Sequence, residues 1–213
     1  MNLEIITGPM FSGKSEELIR RVKRCVIAGQ KVQVFKPDID KRYNGIYYVT
    51  SHDERKIDAI PIASSEDIMR YLYRNTEVVG LDEIQFIDDK SIDVIDYLVN
   101  SGIRVIVACL NMDFRGEPFP FKGSSKHVGG LFVKSDSITK LASICTHKTQ
   151  IGGESKICGK EATFTQRIIN GKPATWNSPT ILIGAKEAYE ARCRKHFVIP
   201  GKPEIPLTKF ISV

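Results

Sequence analysis

No stretch of this 213-residue chain stays apolar for long. Its hydrophobic runs are of the length of Val105 to Leu110, far short of the roughly 20 residues that a bilayer-crossing helix needs, so no membrane partner is expected. Tryptophan occurs once and the aromatics together make up 8%. No Lys/Arg cluster exceeds three residues, and no basic stripe carries the interleaved aromatics of single-strand binders. Cysteine is scarce and odd in number, at five, which argues against a disulfide framework and for a reducing compartment. Met1-Asn2-Leu3-Glu4 lacks the basic start of a secretory leader and runs into a strand-like segment. A cytoplasmic location is the expectation.

What the chain does contain is a core. Apolar residues are 42% and charged residues 26%, enough for one ordinary domain with a small appendage. The net charge of +6 is uneven: residues 140–213 hold 12 Lys+Arg against 5 Asp+Glu. A basic tail fits nucleic-acid affinity or an appendage near phosphates or a metal; without a basic cluster, the second reading is preferred.

Strands alternate with helices. Leu3–Thr7 reads as a buried strand, and Ser15–Ala28 as a helix with Leu18, Ile19, Val22, Cys25 and Val26 on one face and Gly29 ending it. Lys31–Phe35 is a second strand, closed by Lys36-Pro37. Tyr47–Val49 and Ile57–Ile60 read as short strands, Ser64 opens a helix to about Arg74, and Val78–Leu81 is a central strand. Asp88–Ser101 is predicted helical with Ile92, Ile95, Leu98 and Val99 inward, followed by the apolar strand Ile103–Leu110, a short helix within 111–134, and a last core strand over Ser137–Ile144. Apolar strands separated by amphipathic helices predict an α/β fold with a parallel sheet covered on both faces. The composition shifts at Cys145, so the predicted units are residues 1–144, 145–197 and a loose extension, 198–213.

Gly8-Pro9-Met10-Phe11-Ser12-Gly13-Lys14-Ser15 fits G-x-x-x-x-G-K-[ST] between a strand and a helix, the setting of a phosphate-binding P-loop. Its backbone amides and helix N-terminus favour phosphate. Lys14 is expected at the β/γ-phosphates of a nucleotide and Ser15 on Mg²⁺. Lys36, on a strand end outside the motif, is expected to take no part. The strand Val78–Leu81 ends in Asp82-Glu83. Asp82 suits the Mg²⁺ shell, leaving Glu83 to take a proton from the attacking group; a solvated strand-end carboxylate is the alternative for Glu83. Lys14 alone does not separate an ATPase, a GTPase, a recombinase or a small-molecule kinase, although no N-K-x-D guanine reader is present.

Cys193-Arg194-Lys195-His196 is a C-x₂-H pair with Cys145 and Cys158 upstream, and Cys₃His is a common structural zinc set. Unlinked cysteines with a surface histidine remain the alternative, and His147 is a rival ligand. Cys25 and Cys109 read as core.

These residues resemble the cellular-type (type II) thymidine kinases. The resemblance rests on the P-loop with its Pro-Met-Phe, on Asp40-Lys41-Arg42-Tyr43, on Asp82-Glu83-Ile84-Gln85-Phe86 and on Leu110-Asn111-Met112-Asp113-Phe114. It extends to Thr163-Phe164-Thr165-Gln166-Arg167 and to Gly184 through Cys193, and spans residues 1–197. It implies a P-loop NTPase-type sheet with a small zinc-binding lasso domain, and transfer of the γ-phosphate of ATP to the 5′-hydroxyl of thymidine, giving dTMP and ADP.

Carried over, Gly8 to Ser15 with Asp40, Arg42, Asp82 and Gln85 hold ATP. Lys14 and Arg42 offset charge on the transferring group, and Asp40 orients Arg42 or a metal-bound water. Thymidine is enclosed by Met10, Phe86, Leu110 and Phe114, by a lasso over about Thr165–Gly184 with Thr180, Ile181, Leu182, Ile183 and Gly184 near the base, and by Tyr189 beneath. One structural zinc on Cys145, Cys158, Cys193 and His196, a homotetramer, feedback by dTTP and no nucleic-acid partner complete the implied picture. One departure stands out. The family begins its knuckle with C-x₂-C, whereas 12 residues separate Cys145 from Cys158 here. A P-loop ATPase that binds nucleic acid through its basic zinc tail is the rival reading.

Overall fold

The computed structural model describes residues 2–38, 47–50, 56–180 and 187–204. Asp40, Arg42, Ile181, Leu182, Ile183, Gly184 and the end of the predicted extension lie outside these described residues. Strand β1 (Leu3–Thr7) leads through the P-loop into α1 (Lys14–Ile27) and β2 (Val32–Pro37). Then follow β3 (Tyr47–Thr50), β4 (Lys56–Ile62), α2 (Ser65–Tyr71), β5 (Val78–Asp82), α3 (Ser91–Asn100), β6 (Arg104–Cys109), α4 (Gly129–Lys134) and β7 (Ser137–Lys140). They form a seven-stranded sheet in the order β3-β4-β2-β5-β6-β1-β7. Six of its strands run parallel, and only β3 pairs antiparallel, against β4.

Helices cover both faces, as continuous apolar strands require. On one face Leu18, Ile19, Val22 and Cys25 of α1 pack with Ile6, Val34, Val78, Ile106 and Ala108. On the other, Ile68 of α2, Ile95 and Leu98 of α3 and Leu131 of α4 join Phe35, Leu81, Val105 and Val107. The inward stripe of α1 stops at Cys25, because Val26 is exposed. There the helix is already unwinding into its C-terminal cap, with Gly29 N–H bonded to Val26 O and Gln30 N–H to Cys25 O.

Three of the boundaries that differ from the sequence expectation have a long-range reason. Helix α2 ends at Tyr71 because the buried Gln33 of β2 donates to Tyr71 O at 2.9 Å and accepts from Tyr73 N–H at 2.8 Å. Helix α3 begins at Ser91 and not at Asp88, whose carboxylate accepts from the Ser65 N–H and hydroxyl at 2.8 and 2.6 Å and so caps α2. The strand expected over Ser137–Ile144 breaks in two: Leu141 N–H still bonds Thr7 O of β1 at 2.7 Å, but β8 (Ser143–Ile144) pairs with β11 (Glu161–Ala162) beyond the sheet.

The chain then builds a smaller β unit. A hairpin, β9 (Lys148–Ile151) and β10 (Glu154–Ile157), precedes β11. Strand β12 (Phe164–Ile169) lies between β13 (Lys172–Pro173) and β14 (Glu187–Arg192) in an antiparallel sheet. A short 3-10 turn, Arg194–His196, follows. Residues 198–202, at the start of the predicted extension, are tied down: Val198 N–H donates to Gln166 Oε1, Pro200 O accepts from Trp176 N–H, and Lys202 bonds Glu117.

Candidate active site and metal centre

The P-loop is shaped by backbone that tolerates few side chains. A Cβ on Gly8 (φ 154) would collide with Leu141 O and stand 2.8 Å from Ser12 Oγ. Gly13 (φ 80) turns the chain into α1. Phe11 is left-handed at φ 65 and exposed at the loop's tip. Within the loop, Pro9 O accepts from Ser12 Oγ and from the buried Lys14 Nζ, both at 2.8 Å. Met10 N–H donates to Thr165 Oγ1 of β12 at 3.0 Å, so the loop is tied to the β unit.

The structure brings Ser15 and Asp82 together: the Ser15 hydroxyl lies 3.1 Å from both carboxylate oxygens of Asp82. Asp82 is buried, and burial first, then the neighbouring Glu83 charge, push its carboxyl well above the ordinary range. Lys36, Ser15 and Lys14 pull the other way. Burial lowers the Lys14 pKa against the opposing influence of Glu83 and Asp82. Lys36, expected to stand apart from the motif, lies on the strand next to β5, and its charge reaches Asp82. A hydroxyl beside a carboxylate at the mouth of a P-loop is an all-oxygen donor pair of the kind Mg²⁺ takes with phosphate; Ser15 and Asp82 are the residues that fit it.

Glu83 leaves β5 in the left-handed region (φ 53). Its carboxylate accepts a short hydrogen bond from Gln85 Nε2, and Gln85 Oε1 accepts from Leu110 N–H at 3.3 Å. Gln85, expected at the nucleotide, thus lies between Glu83 and the Leu110 backbone. Met10, Phe86 and Leu110 belong to one apolar cluster on this side of the sheet, with Phe86 edge-on to Phe119 at 5.6 Å. Phe114 is buried separately, 5.2 Å beneath the Arg167 guanidinium. Thr180 accepts from Arg115 Nη2 at 3.0 Å, and Arg167 Nη1 donates to Pro179 O at 2.5 Å. Arg115 and Arg167 thus hold Pro179 and Thr180, toward the end of the segment expected as the lasso. Sequence reasoning gave them no role; the one available signal was their place inside or next to the motifs. Tyr189 stands opposite Arg167 in the β12–β14 ladder. It lines an open cleft of about 570 Å³ with Phe11, Thr146 and Lys148, which Met10, Phe86, Leu110 and Phe114 do not line.

The four knuckle residues converge. The Sγ atoms of Cys145, Cys158 and Cys193 and a ring nitrogen of His196 all lie within 4.8 Å of one another. His196 Nδ1 is 3.6 Å from Cys145 Sγ and 3.5 Å from Cys193 Sγ. Zinc bonds of about 2.3 Å to sulfur and about 2.0–2.1 Å to nitrogen set the S···N edge of a tetrahedron near 3.6 Å. This set could therefore hold a zinc ion. Burial and the nearby His147 and Lys195 charges lower the His196 pKa, favouring the neutral imidazole that a metal takes. His147 stacks on His196 at 4.1 Å without joining the donor group.

The ten extra residues leave the cluster undisturbed. They rise as the β9–β10 hairpin, turned by Gly152 and Gly153 at φ 58 and 84. Beneath it, Cys158 N–H bonds His147 O at 2.8 Å and Gly159 N–H bonds Cys145 O at 3.1 Å, so the two cysteines meet at the hairpin's root.

Among the described residues no helix is long and apolar enough to cross a membrane. A family model described as thymidine kinase matches residues 1–197, from the first strand of the sheet through the last knuckle ligand. A P-loop on a six-strand parallel sheet, with a Cys₃His cluster beside it, is the architecture over which that match extends, and the chain belongs to the thymidine kinase family.

Proposed function

We propose that the protein phosphorylates thymidine, moving the γ-phosphoryl group of ATP to the nucleoside's 5′-hydroxyl and releasing dTMP and ADP. The observation that carries this reading is the division of labour at the end of β5. Asp82 bonds Ser15 on the α1 face, while Glu83 turns through a left-handed residue to Gln85. One carboxylate serves the metal side, and the next is left to accept a proton on the side of Met10, Phe86 and Leu110. Ser15 and Asp82 would hold the magnesium ion of MgATP, which would supply charge neutralisation at the phosphates. The P-loop amides and Lys14 bind the phosphates. Glu83 takes the 5′-hydroxyl proton as that oxygen bonds to phosphorus and the bridging P–O bond to ADP breaks.

Asp40 and Arg42 near the phosphates, and Thr165, Thr180, Ile181, Leu182, Ile183, Gly184 and Tyr189 around the base with Phe114, complete the proposed site. Cys145, Cys158, Cys193 and His196 hold one structural zinc with no open position. A cytoplasmic homotetramer inhibited by dTTP is part of the same reading, carried by family resemblance alone.

The rival, an ATPase gripping nucleic acid with its basic tail, draws less support. Several of the tail's cations are engaged within the protein: Arg192 on Glu190 and Thr146, Arg194 over Phe164, and Lys202 on Glu117 and over Trp176. A panel of nucleosides with ATP and Mg²⁺, read as 5′-monophosphate and ADP, tests the choice. Thymidine-dependent dTMP with matching ADP is expected. ADP release that needs DNA or RNA, or no acceptor at all, overturns the reading.

A further inference from the structure

Strand β2 brings a second lysine to the phosphate end of the sheet. Its parallel register with β5 runs Val32↔Val78 to Phe35↔Leu81, so the next residues, Lys36 and Asp82, lie side by side on strands about 4.8 Å apart. Side chains alternate along both strands. Val34 packs in the α1 cluster, and a Cβ on Gly80 would stand 3.2 Å from Val22 of α1 and 3.3 Å from Val34. Two residues further on, Lys36 and Asp82 therefore share that face. For Asp82 the assignment is independent, since it bonds Ser15 at the start of α1. Phe35 and Leu81 belong to the opposite cluster, as the alternation demands. The sheet order β2-β5-β6-β1 sets Lys36 on one side of Asp82 and the P-loop, with Lys14, on the other.

We infer that Lys36 is a second phosphate-contacting lysine, whose ammonium meets the γ-phosphoryl oxygens of bound ATP from the side of Asp82 away from Lys14. The inference rests on the phosphoryl-transfer reading above. The position is the reacting end of the site, because Glu83 follows Asp82 directly. The electrostatics agree: the charges of both lysines are felt at Asp82 and both favour its ionised form. Lys36 is half-buried, so its charge is only partly screened while its head group keeps access to the mouth of the loop. A cation at this place meets the charge that builds on the transferring group. A lysine serving only as a counter-ion for Asp82 would support folding and leave nucleotide discrimination untouched.

That difference sets the experiment. Lys36→Met keeps the stem and removes the charge; Lys36→Arg keeps the charge; Lys36→Gln is the second neutral variant if the methionine protein fails to fold. Affinities for MgATP and for MgADP are measured by calorimetry without nucleoside, and thymidine turnover is measured separately. Loss of a charge-assisted contact is expected to cut kcat on the order of 10–100-fold, with the KM for thymidine unchanged. MgATP affinity should fall several-fold more than MgADP affinity, and arginine should restore most of both. Equal changes in ATP and ADP affinity, or a kcat within twofold of wild type, overturn the inference. If wild-type protein gives no dTMP, the functional reading fails, and the ATP-to-ADP affinity ratio alone decides the role of Lys36.

Discussion

Thr165 Oγ1, on the central strand of the small β unit, accepts a hydrogen bond from the backbone N–H of Met10 in the P-loop at 3.0 Å. One bond thereby joins the element that would hold ATP to the element that would hold the base. Thr165 is 6% exposed, so its loss leaves an amide without its partner in a water-poor place. Thr165→Val should cost about 1–3 kcal/mol, at about 2–4 °C in Tm per kcal/mol for a chain of this size. Thr165→Ser, which keeps the hydroxyl, should stay near wild type. Thermal melts of the two variants check this, and a valine variant that melts with wild type would show the bond to be dispensable.

Glu83→Gln preserves size and the contact with Gln85 while removing the proton acceptor. General-base catalysis contributes about 10²–10⁴-fold, and kcat for thymidine should drop within that range with KM little changed. Steady-state kinetics on the variant settle the point; turnover near that of wild type would remove Glu83 from the proposed role.

Elemental analysis should find about one zinc per chain. Cys158→Ser should lower zinc content and melt the knuckle early, while MgATP binding persists because the P-loop belongs to the sheet. His147→Ala should retain its zinc. Were the histidine variant to lose zinc and the serine variant to keep it, the ligand set would have to be redrawn.

Hydrogen bonding first from Arg20, then from Arg21, holds the Glu17 carboxyl down at about 2. Its folded pKa lies below the unfolded value near 4.5, so its contribution to stability is present above that value and disappears as pH falls from about 4.5 to about 2. The ion pairs are partly exposed, which limits the effect to about 1 kcal/mol. Glu17→Gln should therefore melt slightly below wild type at pH 7, and the two proteins should converge near pH 2. A gap that stays constant across this range would exclude the titration.

The alternation of apolar strands with the stripe Leu18, Ile19, Val22 and Cys25 was enough to read the covered parallel sheet and the P-loop's place in it. What local pattern could not reveal were side chains working at a distance. Asp88 looks like the start of its own helix and caps another, and Gln33 looks like an ordinary strand residue and closes α2. Lys36 falls outside every motif, and only the pairing of β2 with β5 brings it beside Asp82. The knuckle was legible as a ligand set, while the fate of its extra residues depended on the pairing of β8 with β11, which no spacing rule encodes.

That pairing makes the knuckle indifferent to loop length. Because β8 and β11 align the two cysteines from below, the segment between them can grow outward with little consequence for the cluster. The Gly152-Gly153 tip is thus a natural insertion port, where an epitope, a fluorophore-binding peptide or a surface tether can be spliced in.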